Sequence, residues 1–113
     1  MLRGLLNQSL NELEVDVAGM LKKRADPAVQ IVDCREPDEW DGGHLDGSVL
    51  IPLGSLADRK GELDSKRPVV VVCRSGQRSL VAAELLSNSG FSDAMSLSGG
   101  LIAWVNEGHD LEL

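Results

Sequence analysis

The sequence predicts an α/β fold, a five-stranded, mostly parallel sheet with helices on both faces, and three observations carry that expectation. Short apolar runs alternate with stretches of helical period along most of the chain, the order that builds a parallel sheet through helical crossovers. One run, Val69-Val70-Val71-Val72, is apolar at every position and is bounded by Pro68, so it reads as a central strand covered on both faces. Asp26-Pro27, Gly42-Gly43, Pro52, Gly90 and Gly99-Gly100 punctuate the runs.

Taken in order, residues 1–12 read as a loosely held lead-in and 13–113 as the folded domain. Leu13-Glu14-Val15 suits a short edge strand, and Asp16 suits the N-cap of a helix from Val17 to Arg24 whose last turn, Lys22-Lys23-Arg24, complements the helix dipole. Asp26-Pro27 breaks that helix, and Ala28 to Asp33 reads as a buried strand. Pro37 opens a short helix with Asp38 and Glu39 in its first turn. A third strand is expected from Val49 to Ile51 and a weakly amphipathic helix from Ser55 to Leu63. Pro68 to Cys73 is the fourth strand, followed by a helix from Ser79 to Ser89 with Leu80, Val81, Ala83, Leu85 and Leu86 on its apolar face. Ala94 to Leu97 supplies the last strand and Leu101 to Glu107 the closing helix.

A chain of 113 residues with 42% hydrophobic content holds one core and has no room for a second domain. Its only aromatic residues are Trp40, Phe91 and Trp104, and its formal charge is -7. Few stacking platforms and an acidic surface exclude nucleic acid as a partner. Two cysteines make no disulfide framework, and Cys34, Cys73, His44 and His109 show no metal-ligand spacing. A reducing, cytoplasmic setting is expected. No run approaches membrane-spanning length, and the N-terminus lacks a signal-peptide core.

Cys73 closes the Val run and opens Arg74-Ser75-Gly76-Gln77-Arg78-Ser79 directly before a helical pattern, so it belongs in a strand-to-helix turn. Backbone N–H groups converge in such a turn with the positive end of the helix dipole behind them. Arg74 and Arg78 add to that field, and a thiol at a helix N-terminus beside arginine ionises at neutral pH without a histidine base. A cysteine ending a buried strand is by default packing. Here the polar segment that follows would be costly in a core and is natural in a ligand loop at the carboxyl edge of a parallel sheet. A small anion is the expected ligand.

The segment from Asp33 to Trp40, with Gly43-His44-Leu45-Asp46-Gly47-Ser48 and Ile51-Pro52, resembles the first signature of rhodanese-like domains. Cys73 to Ser79 resembles the second, and Ser98-Gly99-Gly100 with Trp104 the third. The resemblance, which covers about residues 13–107, implies a sulfurtransferase in which Cys73 carries sulfane sulfur as a persulfide. It implies that Arg74, Ser75, Gly76, Gln77, Arg78 and Ser79 bind the substrate, and that no metal or organic cofactor takes part. The implied donor is thiosulfate or a similar small anion. The implied acceptor is cyanide in the assay and a thiol or thioredoxin-like protein in the cell. Arg78 is expected to close the loop and favour charge on sulfur, and Arg74 to project outward toward the donor.

Four residues separate Cys73 from Arg78, as in the rhodanese loop. The related cell-division-cycle phosphatases and arsenate reductases use a loop one residue longer. A tetrahedral phosphoryl group needs a wider ring of N–H donors than one sulfur atom, so the short loop disfavours phosphatase or arsenate reductase chemistry. Retention of Cys73 with both arginines disfavours a non-catalytic binding module.

Several residues carry two readings. Asp33 is either a cap for the segment containing Pro37, which is favoured, or a group that orients the active loop. Arg35 and Glu36 read as an ion-pair network pinning the turn. His44 resembles a general base, but an ionised thiol needs none, and the family places it in a structural turn. His109 falls in a polar tail and reads as inert. Cys34 stands where the commonest rhodanese pattern has an aliphatic residue, and a small thiol there suits a buried slot. In that position the chain resembles the cell-division-cycle phosphatases, which implies a redox partner for Cys73.

Overall fold

Alternation along the chain becomes alternation in space. The computed structural model describes residues 13–113, and the lead-in expected at residues 1–12 lies outside the described residues. The elements are β1 (Glu14–Val15), α1 (Val17–Arg24), β2 (Gln30–Asp33), α2 (Pro37–Asp41), β3 (Ser48–Leu50), α3 (Leu53–Arg59), β4 (Val69–Val72), α4 (Gln77–Asn88), β5 (Ala94–Leu97) and α5 (Gly100–Asn106). The sheet runs β1-β5-β4-β2-β3, and its strand pairings are all parallel.

The Val run of β4 lies at the centre and separates two cores. Val69 and Val71 share one with Val32, Cys34, Ile51, Leu56, Cys73, Ala82 and Leu86, under α3 and α4. Val70 and Val72 share the other with Val17, Met20, Leu45, Leu97, Leu101 and Trp104, under α1 and α5. Period-two alternation along a strand covered on both faces explains why every position is apolar.

Element limits differ from the sequence reading where local hydrogen bonds compete. Asp26 accepts from the N–H of Ala28 through its side chain (2.9 Å) and of Val29 through its carbonyl (3.1 Å), so the turn continues and β2 starts only at Gln30. The helix expected from Ser55 begins at Leu53, directly after Pro52, and tightens into a 3-10 turn at Lys60–Glu62. Asp16 caps α1 as expected, accepting from Gly19 N–H at 2.8 Å.

The buried face of α4 is Ser79, Ala82, Ala83 and Leu86. Val81, expected on that face, is 55% exposed. The helix starts two residues before the expected Ser79, and the wholly buried Ser79 sets its phase.

The residues after α5 fold back over the domain. His44 and Glu112 form an antiparallel bridge, Asp110 carbonyl accepts from Trp104 Nε1–H at 3.0 Å, and the His109 ring lies 4.6 Å from that of Trp104. The tail is therefore part of the second core's cover, and His109 is a packing residue rather than a solvated one.

Candidate active site

β4 delivers Cys73 to the carboxyl edge of the sheet, and the turn into α4 wraps its sulfur. The turn is held from behind by α5, whose first amides bond its carbonyls: Leu101 N–H donates to Cys73 O (2.8 Å) and Ile102 N–H to Arg74 O (3.0 Å). This approach requires Gly100, which has φ +63°, and a Cβ there would stand 2.6 Å from Cys73 O and closer still to Arg74 O. Gly76, with φ +95°, turns the chain into α4 and lies against Gly99. The third motif of the sequence thus acts as a wedge under the second.

Cys73 is 1% exposed. Its Sγ receives the N–H of Gly76 at 3.1 Å and of Ser79 at 3.3 Å. Ser79 Oγ also lies 3.3 Å away, and its hydroxyl donates when the thiol is ionised. The loop amides of Arg74, Ser75, Gln77 and Arg78 take no partner among the described residues. Ser75 and Gln77 are exposed and Arg78 is half-buried.

Cys34 continues the β2–β4 ladder one step past the Asp33–Val72 register pair, with Cys34 N–H donating to Val72 O at 3.0 Å. It therefore sits beside Cys73 on the same face, and both thiols are buried and free. The adjacent Cys34 thiol is the largest influence lowering the Cys73 thiol, followed by Ser79 and the Gly76 amide, with burial opposing; the result is about 4 against an ordinary 9.0. The neighbouring Cys73 and burial push the Cys34 thiol up, so Cys34 keeps the proton.

Arg78 does not reach across the loop alone. Its guanidinium makes a bidentate pair with Glu39 of α2, at 2.7 and 2.8 Å. That pair holds the Glu39 carboxyl down to about 2, and the Cys73 charge adds to Glu39 in raising Arg78. Glu39 was read from sequence only as a dipole-complementing first-turn acid; its partner 39 residues away gave no local signal.

Asp33 caps the backbone of the turn that leads to Pro37, and not the helix α2 itself. Its wholly buried carboxylate accepts from the backbone N–H (3.0 Å) and guanidinium (2.8 Å) of Arg35. Arg35 Nη2 also donates to Gly43 O at 2.7 Å, so Arg35 pairs with Asp33 and not with Glu36. The α2 N-terminus is satisfied instead by Glu39, which accepts from Glu36 N–H at 3.1 Å. His44 stacks on Trp40, with ring centroids 3.6 Å apart, and is structural.

Beside the loop lies a cleft of about 400 Å³ lined by Arg35, Glu39, Arg74, Leu101, Ile102, Val105, Asn106 and Leu111. Arg35 and Arg78 are paired with carboxylates, whereas Arg74 is exposed and makes no ion pair among the described residues. Among those residues no three His, Cys, Asp or Glu side chains gather as metal ligands, and no helix is long and apolar enough to cross a membrane.

A parallel α/β domain whose central strand ends in a cysteine loop wrapped by amides is the class that fold and site define. The family model for the rhodanese-like domain matches residues 16–107, and the chain belongs to that family, within the rhodanese and sulfurtransferase superfamily. It is 44% identical over 77 residues to the thiosulfate sulfurtransferase GlpE of Shewanella oneidensis, covering 68% of this chain and 76% of that protein. It is 39% identical over 79 residues to the probable adenylyltransferase/sulfurtransferase MoeZ of Mycobacterium tuberculosis, covering 68% of this chain but only 20% of that longer protein. The solved rhodanese-related protein of Thermoplasma volcanium shares the fold with a TM-score of 0.81 at 29% identity, covering 88% of this chain and 97% of that one.

Proposed function

We propose that this protein is a thiosulfate sulfurtransferase that works through a Cys73 persulfide. The observation that carries the reading is the Cys73 sulfur, ringed by Gly76 N–H, Ser79 N–H and the Ser79 hydroxyl within 3.3 Å. In the first half-reaction the Cys73 thiolate attacks the outer sulfur of thiosulfate. A new Sγ–S bond forms, the donor S–S bond breaks, and its electron pair leaves on sulfite. The outer sulfur of the persulfide then carries the negative charge, and the unpartnered loop amides are the donors available to it. In the second half-reaction a thiolate or cyanide attacks that sulfur, and the pair of the breaking bond returns to Sγ. Arg74, the cation on the cleft wall without an ion pair among the described residues, meets the anionic donor, and the Glu39-held Arg78 favours charge on sulfur.

Intact mass after incubation with thiosulfate tests the reading. Wild type gains one sulfur atom, cyanide removes it, and Cys73→Ser gains none. An unchanged mass together with hydrolysis of an aryl phosphate would overturn it in favour of phosphatase chemistry.

We also propose that Cys34 is a resolving thiol. Adjacent parallel strands stand about 4.8 Å apart, inside the Cα range a disulfide requires. Peroxide oxidises the Cys73 thiolate to a sulfenic acid, Cys34 displaces water from it, and the Cys34–Cys73 disulfide results. Wild type treated with peroxide should regain activity with dithiothreitol, and Cys34→Ser should not. Equal, irreversible loss in both proteins excludes the role.

A further inference from the structure

Ser96 lies on β5, wholly buried, and enters the proposed sulfur chemistry only through another side chain. Its Oγ is 2.7 Å from Ser79 Oγ and 3.4 Å from Gly76 O, while Ser79 Oγ is 3.3 Å from Sγ of Cys73. Two hydroxyl protons thus serve a line of four polar atoms, and the charge on Sγ decides which way they point. An ionised Sγ is acceptor only, so the Ser79 hydroxyl turns to it. The short Ser79–Ser96 contact then needs the proton of Ser96, whose weaker contact to Gly76 O is given up. With sulfur loaded, Sγ becomes a bridging, uncharged atom and a poor acceptor. The line then reverses: Ser79 donates to Ser96, and Ser96 to Gly76 O. Both states satisfy both buried hydroxyls, and no proton leaves either oxygen.

We propose that Ser96 is a positioning residue for sulfur release: by donating to Ser79 it aims and polarises the Ser79 hydroxyl toward Sγ as charge returns there. The inference rests on the persulfide reading. A chain of two hydroxyls ending on an anion is strengthened along its length, and most where the anion is buried and screened from water. The relay therefore favours the unloaded thiolate over the loaded state. In the second half-reaction it stabilises Cys73 as the leaving group; in the first it stabilises the attacking ground state and gives no acceleration. The titratable and charged groups around the sulfur are Cys34, the residue after β2, and Arg78 from α4 with its Glu39 partner, while Asp33 of β2, paired with Arg35, acts on Cys34, and the variants below leave all of them in place.

The test is a mutant cycle read by two measurements. The first is the pH midpoint of Cys73 alkylation by iodoacetamide, which needs no sulfur substrate. The second is the rate at which cyanide discharges the preloaded protein at pH 8, compared with the rate of loading by thiosulfate. Ser96→Ala should raise the midpoint and slow discharge about threefold without slowing loading, and Ser79→Ala should raise the midpoint further and slow discharge about tenfold. Ser96→Cys, of similar shape and a weaker donor, should fall between Ser96→Ala and wild type, and carries the test if the alanine variant does not fold. In the Ser79→Ala background the effect of Ser96→Ala should vanish, because the relay runs through Ser79. A Ser96→Ala effect that persists in that background, slows both half-reactions alike, or leaves the midpoint unmoved overturns the inference. If wild type forms no cyanide-labile adduct the sulfurtransferase reading fails, while the alkylation midpoints still decide the relay.

Discussion

At Cys73 reactivity and ionisation are one quantity. With the thiol lowered to about 4, its alkylation rate should stay flat from pH 8 down to about 5 and fall only below that. Cys34→Ala removes the largest lowering influence and should move the fall to higher pH; an unmoved profile would exclude Cys34 as that influence. The sign for stability follows from proton counting. Between about 4 and the ordinary 9.0 the folded protein holds an anion where the unfolded chain holds a proton. This contribution therefore grows as pH rises toward 9.0 and is lost as pH falls through about 4. The difference in unfolding free energy between wild type and Cys73→Ser should accordingly widen from pH 5 to pH 8 in urea titrations. Cys73 and its loop were legible in the sequence because strand, turn and helix are contiguous there. Glu39 and Ser96 were not, because each joins the site from a different element and looked locally like a helix acid and a strand residue.

At the scale of elements, the sequence placed every helix and strand of residues 13–113 and misjudged mainly their ends. The misjudgements share a cause: Asp26, Pro52 and Gly76 each redirect the backbone through bonds or dihedrals that hydrophobic periodicity does not report. The phase of α4 was missed because a buried polar residue, Ser79, holds the inward position where the pattern suggested Val81. The Gly99-Gly100 turn shows how an element end becomes part of a site. Gly100→Ala adds a Cβ against the carbonyls of Cys73 and Arg74 at a φ of +63°, so it should destabilise the fold by about 1–3 kcal/mol. It should also displace the loop, raising the pH midpoint of Cys73 alkylation. A variant with normal urea midpoint and normal alkylation would show that the α5 amides do not support the turn. Glu39→Gln frees Arg78 from its bidentate partner. Because the carboxyl titrates near 2, the pair is intact throughout the working range. The substitution should lower sulfur-loading rates at every pH from 5 to 9, rather than shift the profile.

Across the whole molecule the two cores divide the work. The face under α3 and α4 holds both cysteines, while the face under α1 and α5 anchors the helix that wedges the loop. The tail after α5 belongs to the second face, which the sequence did not disclose: its polar composition concealed one half-buried apolar residue, Leu111, and a backbone bridge to His44. Deleting residues 109–113 removes the Asp110 carbonyl from the buried Trp104 indole, the Glu112 bridge from His44, and Leu111 from the core. The expected cost is about 2–4 kcal/mol, from one buried donor left without its acceptor and part of one apolar side chain returned to water. The urea midpoint should drop with little change in slope, since nearly the same surface unfolds. Cys73 alkylation should keep its pH midpoint, because Leu101 and Ile102 bond the loop without help from the tail. A tail-deleted protein with an unchanged midpoint in urea would mean that the bridge forms without stabilising the fold. One that unfolds normally but alkylates at higher pH would mean that the second face reaches the sulfur through α5, and that loop and tail are a single cooperative unit.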